Sequence, residues 1–227
     1  MTTRPARSTP ALGELIVALA LLTLVAIGSA LHVMQLDLDP VTRGLILTSL
    51  SGIGGMAGFL GAFMLRVRSW TAFGVRSSSF HWMKMGVFWG ILAFLMKGLA
   101  IMGYIHLTGD QRTIQDVFAE GAGGGICTAV AATFLLGVMT PIGEELLFRG
   151  VVTTVLLRHG AFCGVVGSAL IFALFHGINM IFPAALVTGL IAGEIFRRSG
   201  SIWPAVVVHM MVNLPTIPIM MIVDAGQ

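Results

Sequence analysis

Three short patterns set ionisable or hydrogen-bonding side chains into otherwise apolar surroundings: Glu144-Glu145-Leu-Leu-Phe-Arg149, Phe172-Ala-Leu-Phe-His176 and His209-Met-Met-Val-Asn213. On a helix, Glu145 and Arg149 are four residues apart and can pair along one face. His209 and Asn213 share the same spacing and project from one side, while Glu144 points about 100° away from Glu145, free to face another helix. An acid, two imidazoles and a carboxamide held away from bulk water suit hydrolysis. The Glu144 carboxylate can act as general base on a trapped water. Imidazole and carboxamide donors can hold the oxyanion of a tetrahedral intermediate, and a low dielectric strengthens them. Taken singly, each pattern has a plainer reading: the Glu–Arg pair as a structural clamp, a lone membrane histidine as a packing residue. Their joint occurrence favours function.

The elements that must carry these groups are membrane helices. Hydrophobic residues make up 56 % of the chain and charged ones only 10 %, with a mean hydropathy of +0.95. Several apolar runs exceed the ~18–20 residues needed to cross a bilayer. A charged group at mid-bilayer costs ~2.5–3.5 kcal/mol on insertion scales, so Glu144, Glu145 and Arg149 left unpaired would approach ~10 kcal/mol. They must therefore face one another or water. The formal net charge is +3 and the pI about 9.4. The basic residues sit in short loops, where they set orientation rather than bind nucleic acid. Cys127 and Cys163 have no metal-ligand spacing and form no disulfide framework.

The expected fold is all-α, a polytopic transmembrane bundle of about seven spans: 12–34, 44–65, 85–107, 124–158, 162–180, 182–197 and 202–222. No soluble domain interrupts them, so residues 1–227 read as one membrane domain, with variable N-terminal spans in 1–120 and a catalytic core in 124–222. Glu14, near the start of the first run, favours an uncleaved span over a signal peptide, and no lipidation motif is present. Basic connections (Arg4 and Arg7; Arg66, Arg68, Arg76 and Lys84; Arg149 and Arg158; Arg197 and Arg198) alternate with acidic ones (Asp37 and Asp39; Asp110, Asp116 and Glu120). That places the N-terminus in the cytoplasm and the C-terminus outside. The fourth segment is too long for one straight crossing, roughly 50 Å at helical rise. With Pro141 and Gly143 in its middle, a break into two pieces just before Glu144 is expected. Gly54 with Gly58, and Gly189 with Gly193, permit close helix contact.

Depth supports convergence. Glu144 lies 16 residues before Gly160 and His176 lies 16 after it, so an antiparallel pair turning there holds both at one height. His209 and Asn213 lie roughly 12–20 Å along their helix from the Arg198–Ser201 turn, in the same layer.

These residues resemble the CPBP family, which contains type II CAAX prenyl endopeptidases and Abi-type bacteriocin-immunity proteins. The family's EExxxR, FxxxH and HxxxN motifs are all present in order, and the Ser201-Ile202-Trp203 lead-in is also similar. The resemblance covers about 125–222. It implies an intramembrane endopeptidase in which Glu144 activates water with help from His176, His209 and Asn213 stabilise the oxyanion, and Glu145, Arg149 and Phe172 support the site. The family has been described both as metalloprotease and as glutamate protease. No HExxH or similar ligand spacing is present, which favours the glutamate reading. A divalent metal such as zinc, if used, would be held by His176 and His209 with Glu144.

The expected partners are a membrane-associated peptide or protein substrate and the lipid bilayer, with no nucleic acid, and the expected location is the plasma membrane. Two alternatives stay open: a non-proteolytic immunity or scaffold protein of the same fold, and a small transporter. Against transport, no repeat relates two halves. His32, His81, His106 and His159 have no assigned role. Lys97 falls mid-span and either pairs with an acid or lines the cavity.

Overall fold

The computed structural model describes residues 9–110 and 116–224; Arg4 and Arg7 lie outside them. The chain runs through α1 (Leu12–Val33), α2 (Pro40–Leu65), α3 (Phe80–Thr108), α4 (Asp116–Ala122), α5 (Ile126–His159), α6 (Cys163–Phe175), α7 (Phe182–Ser199), α8 (Ile202–Asn213) and α9 (Thr216–Asp224). The all-helical bundle is as expected. Among the described residues, five helical stretches are long and apolar enough to cross a membrane: α1, α2, α3, α5 and the run Ile202–Ile222 through α8. The other two expected spans also appear as helices, but α6 ends at Phe175 rather than 180, and α7 carries Glu194, Arg197 and Arg198 in its last turns.

Local chemistry sets the ends. Asp39 caps α2 by accepting the Thr42 N–H at 3.0 Å, with Pro40 opening the helix. Ser201 starts α8 by accepting the Trp203 N–H at 3.4 Å while its own hydroxyl donates to Arg76 O at 2.7 Å. Gly200, at φ 65°, ends α7 in a left-handed conformation that suits glycine.

Helices α2 and α5 form the centre, and α1 and α3 carry large exposed apolar faces such as Leu24, Leu31, Phe88, Leu95 and Met102. The crossing of α2 on α5 needs bare backbone. A Cβ on Gly143 would lie 2.0 Å from the Gly52 carbonyl oxygen, and one on Gly55 only 2.4 Å from that of Gly143. The anticipated glycine contacts also form: Gly54 faces Ala26, Gly58 faces Ala18, Gly189 faces Ala169 and Gly193 faces Val165.

The expected break in the fourth segment does not occur. Helix α5 is continuous, and a π turn at Leu135–Met139 precedes Pro141. The Thr140 N–H reaches back to Leu135 O. Pro141 has no N–H to give Leu136. One wide turn thus absorbs the proline without breaking the helix. A second π turn spans Phe148–Thr153.

The loops separate into two faces. Arg66 and Arg158 both hydrogen-bond Thr9, and Arg76 donates to Gly200 O at 2.6 Å, so the basic connections share one face. At the other end of α2, Gly44 beside the Asp37–Asp39 connection packs on Gly121, next to Glu120.

Candidate active site

Glu145 and Arg149, both fully buried, form an ion pair with Nε–Oε2 2.9 Å. Arg149 also donates to Gly189 O at 3.3 Å and stacks 5.3 Å from the Phe172 ring. The i,i+4 spacing thus acts as expected. Sequence reasoning missed the third member: His209 Nδ1 lies 2.9 Å from the second Glu145 oxygen. A carboxylate there accepts the Nδ1–H, fixing the ring's orientation and leaving Nε2 toward the cavity. That contact joins α5 to α8, and no spacing within one helix reports it.

Glu144 is 4 % exposed and His209 3 %. Glu144 Oε2 sits 3.8 Å from His209 Nε2, and it has no hydrogen-bond partner among the described residues.

His176 caps the end of α6, and its Nδ1 donates to Phe172 O at 2.9 Å. This hydrogen bond makes Nδ1 a donor and fixes the ring's orientation. Glu144 and His176 make no direct hydrogen bond among the described residues, and both side chains face one cavity. Phe172 separates the polar groups, its ring centroid 4.6 Å from that of His176 and 5.6 Å from that of His209.

Asn213 donates through Nδ2 to Leu136 O at 3.2 Å. That carbonyl is the one Pro141 cannot serve, so the carboxamide completes the π turn. Nδ2 carries two hydrogens, and the second remains for the cavity.

Glu144, Phe172, His176, His209 and Asn213 all line one cavity of about 170 Å³, with Glu145 and Arg149 behind its wall. Lys97 lines it too, with Nζ 3.1 Å from Thr216 Oγ1. Of the two roles weighed for Lys97, the structure shows the cavity-lining one and supplies a hydroxyl partner. The donor set His176, His209 and Glu144 does not gather as a metal-binding group; among the described residues no three His, Cys, Asp or Glu side chains do. His32, His81, His106 and His159 are not among the cavity-lining residues.

Residues 126–215 match the family model described as Type II CAAX prenyl endopeptidase Rce1-like. The match takes in every residue from Glu144 to Asn213 and omits α1–α3. No curated protein and no solved structure matches the chain. The matched family is one of proteases, hydrolases of the CAAX type. With that region and five helices able to cross a bilayer, the chain is an integral membrane protein.

Proposed function

We propose that this membrane protein, whose residues 126–215 match a type II CAAX prenyl endopeptidase family model, cleaves a membrane-associated peptide with water activated by Glu144. The observation that carries this reading is a buried Glu144 carboxylate oxygen without a hydrogen-bond partner among the described residues. It faces a cavity that also receives two histidines of fixed orientation. Water held between Glu144 and His176 Nε2 loses a proton to Glu144 as its oxygen attacks the scissile carbonyl carbon. His209 Nε2–H and the second Asn213 N–H hold the developing oxyanion. Glu144 then passes the proton to the leaving nitrogen as the C–N bond breaks, giving a carboxylic acid and an amine. Glu145 keeps His209 aimed through its 2.9 Å contact with Nδ1, and Arg149 balances Glu145. Each step in this scheme runs through the chain's own residues. The chain works as one membrane domain, in which α1–α3 wall the cavity, and it resides in the plasma membrane with the basic face cytoplasmic.

The test is Glu144→Gln in the purified full-length protein, assayed on a prenylated peptide ending in a CAAX sequence. Expected is a fall of about 10²–10⁴-fold in kcat with an unchanged melting temperature. Full activity in the variant refutes the base role. A wild-type protein that binds the peptide and never cuts it supports the binding-only alternative.

A further inference from the structure

Lys97 is a charged cavity residue that the hydrolytic scheme leaves unused. It enters mid-helix from α3, and its hydrogen-bond partner is the Thr216 hydroxyl. Of the carboxylates nearby, Glu145 is engaged by Arg149 and His209, and Glu144 lies 3.8 Å from His209 Nε2. Among the described residues, no acid pairs with Lys97. We propose that Lys97 and Thr216 form the subsite for the free C-terminal carboxylate of the substrate peptide, which sets how far from the chain end the cut falls. The proposal rests on the hydrolytic reading above.

Helix geometry gives the distance. Helices α3 and α8 leave the basic face side by side and run parallel. Gly86 packs on Pro204 and Val207, Gly90 on Val208 and Met211, and Lys97 meets Thr216. Thr216 therefore lies about one turn, ~5 Å, beyond Asn213 and ~10 Å beyond His209. An extended peptide advances ~3.3 Å per residue. A carboxylate on Lys97 then puts the bond facing Glu144 and His209 about two to three residues from the terminus. The mid-helix position of the ammonium suits a peptide end drawn into the cavity rather than a lipid headgroup, which stays at the interface. The rival role is general charge balance, in which Lys97 offsets Glu144 and is indifferent to the substrate's end.

The experiment compares two otherwise identical prenylated CAAX peptides, one ending in carboxylate and one in carboxamide, on the full-length protein in detergent. The wild type should prefer the acid by about ten- to a hundred-fold in kcat/KM, mostly through KM. Lys97→Met should lose that preference, and Lys97→Arg should keep part of it. Equal cleavage of both peptides by the wild type, or an undiminished preference in Lys97→Met, overturns the proposal. Should the wild type cut neither peptide, the hydrolytic reading fails. The subsite is then read by fluorescence polarisation of the same peptides. Acid-selective binding that disappears in Lys97→Met supports the subsite, and equal binding of acid and amide overturns it. If Lys97→Met does not fold, Lys97→Gln serves in both arms.

Discussion

Replacing Arg149 with Met isolates the charge relationship beneath the active site, because the unbranched stem is kept and the guanidinium removed. The variant loses the 2.9 Å contact with Glu145, the 3.3 Å bond to Gly189 O and the stacking on Phe172. Breaking a fully buried ion pair from one side costs about 3–5 kcal/mol, because the remaining charge stays buried. His209 remains 2.9 Å from Glu145 and still compensates it, so the low end, about 3 kcal/mol, is expected. For a chain of this size that corresponds to a fall of about 6–12 °C in melting temperature, read from intrinsic tryptophan fluorescence in detergent. Adding Glu145→Gln should recover most of the loss, since neutral groups can replace a buried pair at little cost. Activity should stay low, because His209 loses the carboxylate that orients its ring. An unchanged melting temperature in Arg149→Met, or a double variant no more stable than the single one, would refute the buried-charge argument.

Asn213→Ala should lower both stability and rate: the orphaned Leu136 carbonyl costs about 1–3 kcal/mol, and the lost oxyanion donor costs about 10²–10³-fold in kcat. A variant with wild-type melting and reduced kcat would remove the π-turn role. Gly143→Ala forces a Cβ to 2.0 Å from a backbone oxygen and should abolish accumulation of folded protein, whereas Gly98→Ala, with nothing within 4 Å, should accumulate normally; gel filtration of the two compares them. In a chain freed of Cys127 and Cys163, single cysteines at 72 and 198 should react with an impermeant thiol reagent from the same, cytoplasmic, side. Labelling from opposite sides would contradict the shared basic face. The complementary position 112 lies outside the described residues.

The polar residues were legible in the sequence because charges in an apolar run have few places to go, and spacing within a helix fixes which of them share a face. The Glu145–Arg149 pair and the common cavity of Glu144, His176, His209 and Asn213 follow from that. The azimuth of one helix against another is set by packing, here by Gly52 and Gly55 against the backbone of α5, and one chain's periodicity does not encode it. For that reason the His209–Glu145 contact was missed, and nothing in the spacing marked His209 as the neighbour of Glu144. Lys97 was visible as an anomaly, yet its partner, Thr216, is an uncharged residue 119 positions away and no charge pattern marks it. Pro141 signalled an irregularity correctly, but a break and a π turn have the same local signature. The choice between them is settled by whether another helix can serve the freed carbonyl, as Asn213 does.

The two π turns of α5 bracket Thr140–Leu147, the eight residues that carry both glutamates. Each wide turn lodges an extra residue, so the bracketed segment is out of phase with the helix on either side, and its rotation is not dictated by the ends of α5. What holds its phase is the glycine seam with α2 on one flank and the Asn213 amide on the other. The aim of the general base is therefore governed from outside its own helix. Substitutions along α2 that touch no polar group should mistune catalysis as readily as changes in the cavity, and a one-residue deletion within 135–139 would swing both carboxylates about 100° around the axis while leaving a helix of ordinary appearance.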